Sequence, residues 1–457
     1  MSGMFFSSKV NPGKRDFWFL PLGGTGEIGM NMNLYGHNDQ WLMVDCGVMF
    51  DKTNPLADGS NSVVSADPSF IASRRHQLVG LVITHAHEDH IGAVPYLWQE
   101  LQCPVYTTPF SAEILRRKLS ETDLIHQVPI IEVESGDITN IGHFEVQWLN
   151  ITHSIPEPNA LVISAGDSKV FHTADWKIDA DPVLGKPFDK HQFKALADQN
   201  ITAMICDSTN ATVAGHSISE GDCYDGLLPL IKKSKYRVIV ACFGSNLARL
   251  ITLCKIALKT GRYGAVYGRS MRNMYSAARR TGIWPDNLSL ADGRHLGYLP
   301  RHEVLGIATG SQGEFGAALR RMANGTFRDL ELEPGDTVIF SSKVIPGNEK
   351  DVASLVEQLR NRGITVIESA DVDGAPIHAS GHPCQEELRE LYRLVKPKIA
   401  LPVHGTPVHI NANAAIAKEI GIPTQMRGEN GDLYKLSPLP TLKRKAVKVG
   451  RITHDRD

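Results

Sequence analysis

The sequence lacks the features of a membrane, secreted or fibrous protein. Its 457 residues contain no run of eighteen apolar residues, so no transmembrane helix is expected. The start of the chain has scattered basic side chains and no continuous apolar stretch, which argues against a secretory signal. No internal repeat or low-complexity tract occurs. Lysine and arginine (48) nearly balance aspartate and glutamate (50), so a polycationic protein is excluded but a local basic groove is not.

Cysteine pairs are also missing. The seven cysteines are widely spaced, odd in number and include no Cys-x-x-Cys pair. This pattern excludes a zinc ribbon and a disulfide framework, and it favours reduced thiols in the cytoplasm. The Gly-Phe aromatic sequences of RNA-recognition modules are absent too, so base-specific reading is not predicted.

Strand and helix patterns change along the chain. The first part is rich in strand signals, such as Phe17–Leu20 and Leu78–Thr84, and predicts a layered α/β fold with mixed sheets. Regular alternation follows, beginning with a predicted strand Tyr236–Cys242 and a predicted helix Asn246–Lys259. Such alternation is typical of a compact parallel α/β unit.

Histidines are frequent before and after this regular block but not within it. We therefore predict one domain of residues 1–212 and 355–450, split by an inserted domain of residues 213–354. Residues 451–457 are predicted to be a short tail.

A dense group of metal-ligating residue types is the strongest feature of the sequence. His85-x-His87-x-Asp89-His90 directly follows the predicted strand Leu78–Thr84. His85 and His87 alternate at the strand end and point the same way, whereas Asp89 and His90 can face a second centre. Four residues on one turn cannot complete two metal sites, so more distant ligands are required.

Three candidates for these ligands stand where other predicted strands end. They are His153, Asp175 and His404. Each of them, taken alone, fits an ordinary structural role as well. Imidazole and carboxylate groups suit Zn²⁺ or Mn²⁺. Two such ions about 3.5–4 Å apart stabilise the attacking and leaving oxygens of a phosphoryl displacement, so the pattern predicts a two-metal hydrolase.

A glycine motif offers a different interpretation. Gly24-x-Gly26-x-x-Gly29 follows a predicted strand, and Asp45 stands near the acidic position of a dinucleotide-binding site. A helix should begin within such a run, but the residues from Met30 onward have the pattern of two strands and a turn. We therefore expect a tight turn beside the metal site and no cofactor bound by these glycines.

Several longer motifs stand together in the rest of the chain. They are Asp207-Ser208-Thr209-Asn210, Gly310-Ser311-Gln312-Gly313-Glu314, the segment from Ser341 to Glu349, and His378-Ala379-Ser380-Gly381-His382. With the histidine cluster, they resemble the β-CASP nucleases of the metallo-β-lactamase superfamily, and among these the ribonuclease J family. The resemblance covers roughly residues 16 to 450. It implies a metallo-β-lactamase αββα sandwich with an inserted parallel α/β β-CASP domain.

The resemblance assigns metal ligands position by position. It implies that one ion is held by His85, His87 and His153. It implies that the other ion is held by Asp89, His90 and His404. It also implies that Asp175 bridges the two ions and that Asp207 supports the centre. Two divalent ions are expected, with Zn²⁺ bound and with Mn²⁺ or Mg²⁺ as alternatives for activity.

The resemblance also implies roles in catalysis and substrate binding. Asp89, His378 and His382 are expected to be catalytic, with a hydroxide formed at the metals attacking phosphorus in line. The residues expected to contact substrate phosphates are Ser245, Asn246, Arg249, Gly310, Ser311, Gln312, Gly313, Glu314, Ser341, Ser342, His378, Ser380 and His382.

Two departures from the family pattern concern this pocket and the chain end. Ala248 stands where the family usually has a histidine after the Ser-Asn pair, and Arg249 is expected to compensate as a phosphate donor. The sequence stops at Asp457, about where the family's linker and small C-terminal domain would begin, so we expect no C-terminal domain here.

The implied substrate is single-stranded RNA, cleaved 5′→3′ and also internally. A cytoplasmic protein without a membrane partner is expected, with a homodimer and RNA-degradation proteins as candidate partners. Two alternatives stay open: a DNA nuclease of the same fold, and a catalytically weak RNA-binding scaffold. The complete ligand set argues against the scaffold.

Overall fold

Two mixed sheets face each other in the computed structural model, which describes residues 10–52 and 61–454. The strands of the first sheet, in spatial order, are Thr441–Lys443, Leu433–Ser437, Phe17–Gly23, Met32–His37, Gln40–Val44, Leu78–Val82, Val105–Thr107 and Ile130–Glu132. Those of the second are Thr424–Gln425, Ile399–Val403, Ala203–Asp207, Ser168–His172, Asn159–Ala165, Phe144–Asn150 and Ile138–Ile141. Both sheets combine parallel and antiparallel pairs, as predicted.

Side-chain alternation along the strands builds the layers. Phe17 and Phe19 lie in the core between the two sheets, with Trp148 of the second sheet. Trp18 and Leu20 point the other way, into a core covered by helices. The helices of that face are Ser69–Ala72, Glu88–Ile91, Val94–Leu101 and Pro109–Leu119. Those of the opposite outer face are Lys190–Lys194, Gln385–Val395 and Pro407–Glu419. The predicted αββα sandwich is therefore confirmed.

A third, all-parallel sheet forms the inserted unit. Its strands, in spatial order, are Tyr263–Tyr267, Val304–Ala308, Val238–Ala241, Thr337–Phe340 and Thr365–Ile367. Its helices are Cys223–Lys233, Leu247–Thr260, Arg269–Arg280, Ala318–Ala323 and Glu349–Asn361. Apolar side chains cover both faces of this sheet, which explains its nearly continuous hydrophobic strands.

Two features of the insert differ from the predicted bounds. The edge strand Thr365–Ile367 pairs with Thr337–Phe340, so the sheet extends beyond residue 354. The sequence pattern predicts a helix over Phe315–Met322, but the helix begins only at Ala318, because Gly316, within the predicted stretch, has a φ of +73° that a right-handed helix cannot contain.

A small sheet joins the end of the described chain to the first domain. Arg451–His454 pairs with Ser62–Ala66, which pairs with Val48–Asp51. The predicted tail therefore begins as a strand, and residues 455–457 lie outside the described residues. No helix in residues 10–52 and 61–454 is long and apolar enough to cross a bilayer.

Candidate metal centre

All seven predicted metal ligands meet at one end of the two facing sheets. His85 follows strand Leu78–Val82, and Asp89 and His90 lie in the short helix that comes next. Each of the three distant ligands stands one to three residues beyond a strand of the second sheet. These ligands are His153, Asp175 and His404. The positions predicted from strand ends are therefore brought together by the fold.

The first ligand group has the spacing of a tetrahedral metal site. His87 Nδ1 lies 3.1 Å from both His85 Nε2 and His153 Nε2. Asp175 Oδ2 lies 3.8 Å from His85 Nε2 and 3.6 Å from His153 Nε2. Ligand atoms about 2.0–2.1 Å from a tetrahedral Zn²⁺ would stand about 3.3 Å apart. The four groups thus converge on a point that fits such an ion.

A second group of four shares one of these ligands. Asp89 Oδ2 lies 3.6 Å from both His90 Nε2 and His404 Nε2. Asp175 Oδ2 lies 3.3 Å from His90 Nε2, so the same oxygen borders both groups. The Asp89 carboxylate is 29% exposed, whereas that of Asp175 is 3% exposed. Asp175 is thus placed between the two groups, and Asp89 faces the open side.

Hydrogen bonds fix the orientation of the histidines from behind. The contacts are His85 Nδ1 with Thr84 Oγ1 at 3.0 Å, His90 Nδ1 with Asp45 Oδ2 at 2.7 Å, His153 Nδ1 with the Gly381 carbonyl at 2.5 Å, and His404 Nδ1 with Asn31 Oδ1 at 2.9 Å. A partner on one ring nitrogen sets the tautomer and directs the other nitrogen toward the ion. The donor set is therefore oriented for a cation.

The sequence did not identify two of these residues, Asp45 and Asn31, as supports for the metal ligands. Asp45 is fully buried and also accepts hydrogen bonds from the backbone and hydroxyl of Thr84. The sequence had singled it out only as the acid of a dinucleotide site. Asn31 ends the glycine run, where His404 N donates to the Gly24 carbonyl. The expected tight turn beside the metal site is confirmed, and it holds Asn31 in place.

The protonation of the first group also fits a metal. Burial lowers the pKa values of His85 and His153 well below the usual value of a histidine. Burial also lowers the pKa of His87, to about 4. Neutral imidazole is the form that binds a cation. Three imidazole lone pairs and a buried carboxylate therefore face one another at neutral pH, and a divalent cation satisfies them.

A charged histidine stands beside this cluster. His382 Nδ1 lies 2.7 Å from Asp207 Oδ2 and 4.0 Å from Asp175 Oδ2. Although burial opposes it, the Asp207 carboxylate raises the pKa of His382 to about 9. Asp207 also accepts hydrogen bonds from Thr209. Asp207, which was predicted to support the metal centre, thus contacts His382.

His378 has the opposite protonation. Burial, together with Arg249 and nearby lysines, lowers its pKa to about 3. Its Nδ1 is buried and has no hydrogen-bond partner within the described chain. His378 is therefore a neutral histidine with a free ring nitrogen, four positions before His382 in the sequence.

The inserted unit reaches the metal ligands through Ser245. Its Oγ lies 3.1 Å from His87 Nε2. Asn246 is held as the cap of helix Leu247–Thr260, where its side chain accepts from the backbone of residue 249. Ser342 is nearly buried, and its hydroxyl has no partner among residues 10–52 and 61–454. Ser380 Oγ accepts a hydrogen bond from Asn210.

The other predicted phosphate contacts mostly support the backbone. Ser341 Oγ donates to the Ile377 carbonyl. Ser311 is buried, and the Gln312 side chain bonds to the backbone of residues 343 and 345. Glu314 accepts from the backbone of Gln312. The Gly310–Glu314 loop, in which Gly310 and Gly313 have positive φ, is therefore bound to the loop after strand Thr337–Phe340.

Arg249 is placed differently from the prediction. It is fully buried, and its guanidinium binds both carboxylate oxygens of Glu220, at 2.7 and 3.1 Å. It also donates to the carbonyls of Ser341 and Ile377. Each of its three guanidinium nitrogens therefore has an acceptor inside the protein, and the predicted compensating contact to substrate phosphate would require these bonds to break. No sequence motif indicated Glu220 as the partner of Arg249, because this ion pair forms only when distant segments of the chain pack together.

Three family models match successive parts of the chain. "Metallo-beta-lactamase superfamily" matches residues 26–198, and "Ribonuclease J, beta-CASP domain" matches residues 235–359. "Zn-dependent metallo-hydrolase RNA specificity domain" matches residues 375–426. A solved protein of unknown function from Enterococcus faecalis V583 shares the fold, with a TM-score of 0.64, 15% identity, and coverage of 92% of this chain and 100% of that one.

Curated relatives cover most of the chain. Ribonuclease J of Sinorhizobium meliloti is 40% identical, over 96% of this chain and 77% of the relative. Ribonuclease J 1 of Streptococcus pyogenes is 38% identical, over 91% and 74%. Ribonuclease J of Helicobacter pylori is 35% identical, over 94% and 62%. By these matches, and by the fold and ligand groups above, the chain belongs to the ribonuclease J family of metal-dependent RNA hydrolases.

Proposed function

We propose that the protein hydrolyses phosphodiester bonds of single-stranded RNA 5′→3′, and also internally, with two divalent ions in the centre described above. The observation that carries this proposal is the pair of four-ligand groups that share Asp175. Zn²⁺ suits this histidine-carboxylate set, and Mn²⁺ or Mg²⁺ are alternatives for activity. The RNA named in the relatives and in the matched specificity domain supports the choice of substrate.

Two divalent ions in this centre would supply Lewis-acid chemistry, polarising the scissile phosphate and lowering the pKa of a water molecule. His85, His87 and His153 would hold one ion. Asp89, His90 and His404 would hold the other, with Asp175 between the two. Asp89 is the partly exposed carboxylate of its group, and we expect the phosphate to approach from its side.

His382 is the candidate proton donor. Because Asp207 accepts from its Nδ1, the proton on Nε2 is free to move to the leaving 3′ oxygen. The Asp207 carboxylate raises the pKa of this imidazole, against the effect of burial, and so favours the protonated form that a proton donor requires. His378 is neutral and is suited to orient the phosphate. The hydroxyl of Ser245, beside His87, and that of Ser342, which has no partner within the described residues, are the candidate phosphate contacts on the inserted unit.

Location and assembly stay predictions. All seven cysteines are buried free thiols, which supports a reducing compartment such as the cytoplasm. A homodimer and RNA-degradation partners are still expected from the family resemblance.

Cleavage of labelled oligonucleotides tests the proposal. The purified protein is incubated with 5′-monophosphate RNA or the matching DNA, in Mn²⁺ or in chelator. Metal-dependent release of 5′ mononucleotides from RNA alone is expected, and Asp89→Ala should abolish it while retaining the fold. Exposed His76 gives a matched control, His76→Ala, which should cleave normally. Cleavage of DNA would favour the DNA nuclease, and binding of RNA without cleavage would favour the scaffold.

A further inference from the structure

A large cavity opens in the inserted unit, apart from the metal ligands. Its volume is about 1150 Å³, and it lies at the carboxyl ends of strands Tyr263–Tyr267 and Val304–Ala308. Pockets for drug-sized molecules measure about 300–1,000 Å³. The cavity therefore has room for more than one small molecule. None of the seven predicted metal ligands lines it.

The lining of this cavity carries an excess of positive charge. Its arginines are Arg269, Arg272, Arg294, Arg321 and Arg328. Its carboxylates are Asp292, Glu314 and Asp329. Arg294 is paired with Asp292, at 2.6 Å. The guanidinium groups of Arg269, Arg272 and Arg328 are exposed and make no ion pair or hydrogen bond within the described residues. A chain with a net charge of −2 thus concentrates three unpaired arginines at one opening.

An exposed aromatic ring completes the surface. Phe315 lines the cavity and is 65% exposed, an unusual position for a large apolar side chain. Phe327, also in the lining, has the Arg321 guanidinium over its ring at 5.3 Å. Exposed rings beside arginines are what proteins use to bind single strands, because every base can stack and every linkage carries a phosphate.

The cavity is continuous with the segment that touches the metal ligands. Ser270 lines it, and a Cβ placed on Gly244 would lie 2.6 Å from Ser270 Oγ. The next residue, Ser245, contacts His87. Gly310 at the start of the neighbouring loop also borders the cavity. An RNA strand that extends from the metal ligands past Ser245 along the insert would therefore meet this opening.

We propose that this cavity, at the carboxyl ends of strands Tyr263–Tyr267 and Val304–Ala308, is an auxiliary RNA site. It holds a segment of single-stranded RNA away from the metal centre. Arg269, Arg272 and Arg328 bind the phosphates, and a base stacks on Phe315. This inference rests on the proposed function and adds a second contact region to the substrate path.

Binding of long and short RNA tests the proposal. Binding of 3′-labelled RNAs of about 24 and about 5 nucleotides is measured by fluorescence anisotropy in chelator, across a salt series. The double variant Arg272→Ala/Arg328→Ala should raise the Kd of the long RNA at least about tenfold. It should also lower the slope of log K against log salt by about 1.4, because each lost single-strand phosphate contact removes about 0.7. The short RNA should bind as it does to the unchanged protein.

Phe315→Ala gives an independent second variant. It should weaken long-RNA binding by about tenfold through lost stacking, with the salt slope unchanged. Arg75 is exposed, makes no ion pair within the described residues and lies in the other domain, so Arg75→Ala is the matched control. In Mn²⁺, both cavity variants should raise the KM for long RNA and leave kcat unchanged.

The results that would contradict the auxiliary site can be distinguished from those that would contradict the proposed function. If the unchanged protein cleaves RNA but both cavity variants bind long RNA as the Arg75→Ala control does, the auxiliary site is wrong and the proposed function stands. If the unchanged protein neither binds nor cleaves RNA, both proposals are wrong. If ATP raises the Tm of the unchanged protein but not of the double variant, and RNA binding is equal, the cavity binds free nucleotides and the RNA assignment is overturned.

Discussion

Replacing Arg249 should damage stability and leave RNA affinity intact. Its guanidinium neutralises Glu220 in the interior and binds two backbone carbonyls that join the inserted unit to the segment before His378. Glu220 is only 5% exposed. Arg249→Ala would leave this carboxylate buried without a partner, which costs about 3–5 kcal/mol. That is a large part of the roughly 5–15 kcal/mol that holds a domain folded.

Urea denaturation measures this loss. With an m value of about 2 kcal/mol/M, a loss of about 4 kcal/mol moves the unfolding midpoint of the inserted unit down by about 2 M. Hydrogen exchange of helix Leu247–Thr260 assigns the change to that unit. The KM for RNA, measured at low temperature where the variant is folded, should stay within about twofold of that of the unchanged protein.

A double variant distinguishes the net contribution of the ion pair to stability from the cost of removing only one of its partners. Glu220→Leu/Arg249→Met replaces both charges with apolar groups and should recover most of the lost stability, because buried ion pairs often contribute little net free energy. An Arg249→Ala protein of unchanged stability and strongly raised KM would refute the reasoning. Such a result would support the original prediction that Arg249 contacts substrate phosphate.

Three further predictions follow from the structure. Asp45→Asn should weaken metal binding about 10–100-fold in a competitive chelator titration, because Asp45 orients His90; unchanged affinity would contradict that support. Burial lowers the pKa of His172 to about 4. Below about pH 6.5 the unfolded chain therefore binds a proton that the folded chain does not. The folded state consequently loses stability as the pH falls from about 6.5 toward 4. His172→Gln should therefore reduce the loss of unfolding free energy between pH 7 and pH 5 by about 2 kcal/mol in urea titrations, and an unaltered loss would count against the buried neutral state. Ala248→His, in the first turn of its helix, should increase the kcat/KM preference for 5′-monophosphate over 5′-hydroxyl RNA about tenfold, and no change would mean that the pocket is built otherwise.

The metal centre was predictable because its ligands follow strand ends. His404 directly follows strand Ile399–Val403 of the second sheet, and His85 follows strand Leu78–Val82 of the first, so each stands beyond the end of a strand. The residue types, histidine and aspartate, then indicated a site for divalent metal ions. The same reasoning identified the parallel sheet of the insert, since its strands are apolar on both faces.

The phosphate pocket was less predictable because polar side chains have two competing uses. Arg249 and Ser341 were expected to face substrate, yet both satisfy buried backbone groups. A sequence does not show which polar residue becomes buried, since burial depends on how distant segments pack. Asp45 was missed for the related reason that its partner, His90, is 45 positions away.

Counting bound metal tests the central claim most directly. The protein is dialysed against Zn²⁺, and the metal per chain is measured by mass spectrometry for the unchanged protein and for His404→Ala. The shared Asp175 and the two ligand groups predict two ions in the unchanged protein and one in His404→Ala, with RNA cleavage lost in the variant. A single ion in the unchanged protein, or two ions and full cleavage in His404→Ala, would contradict the two-metal centre.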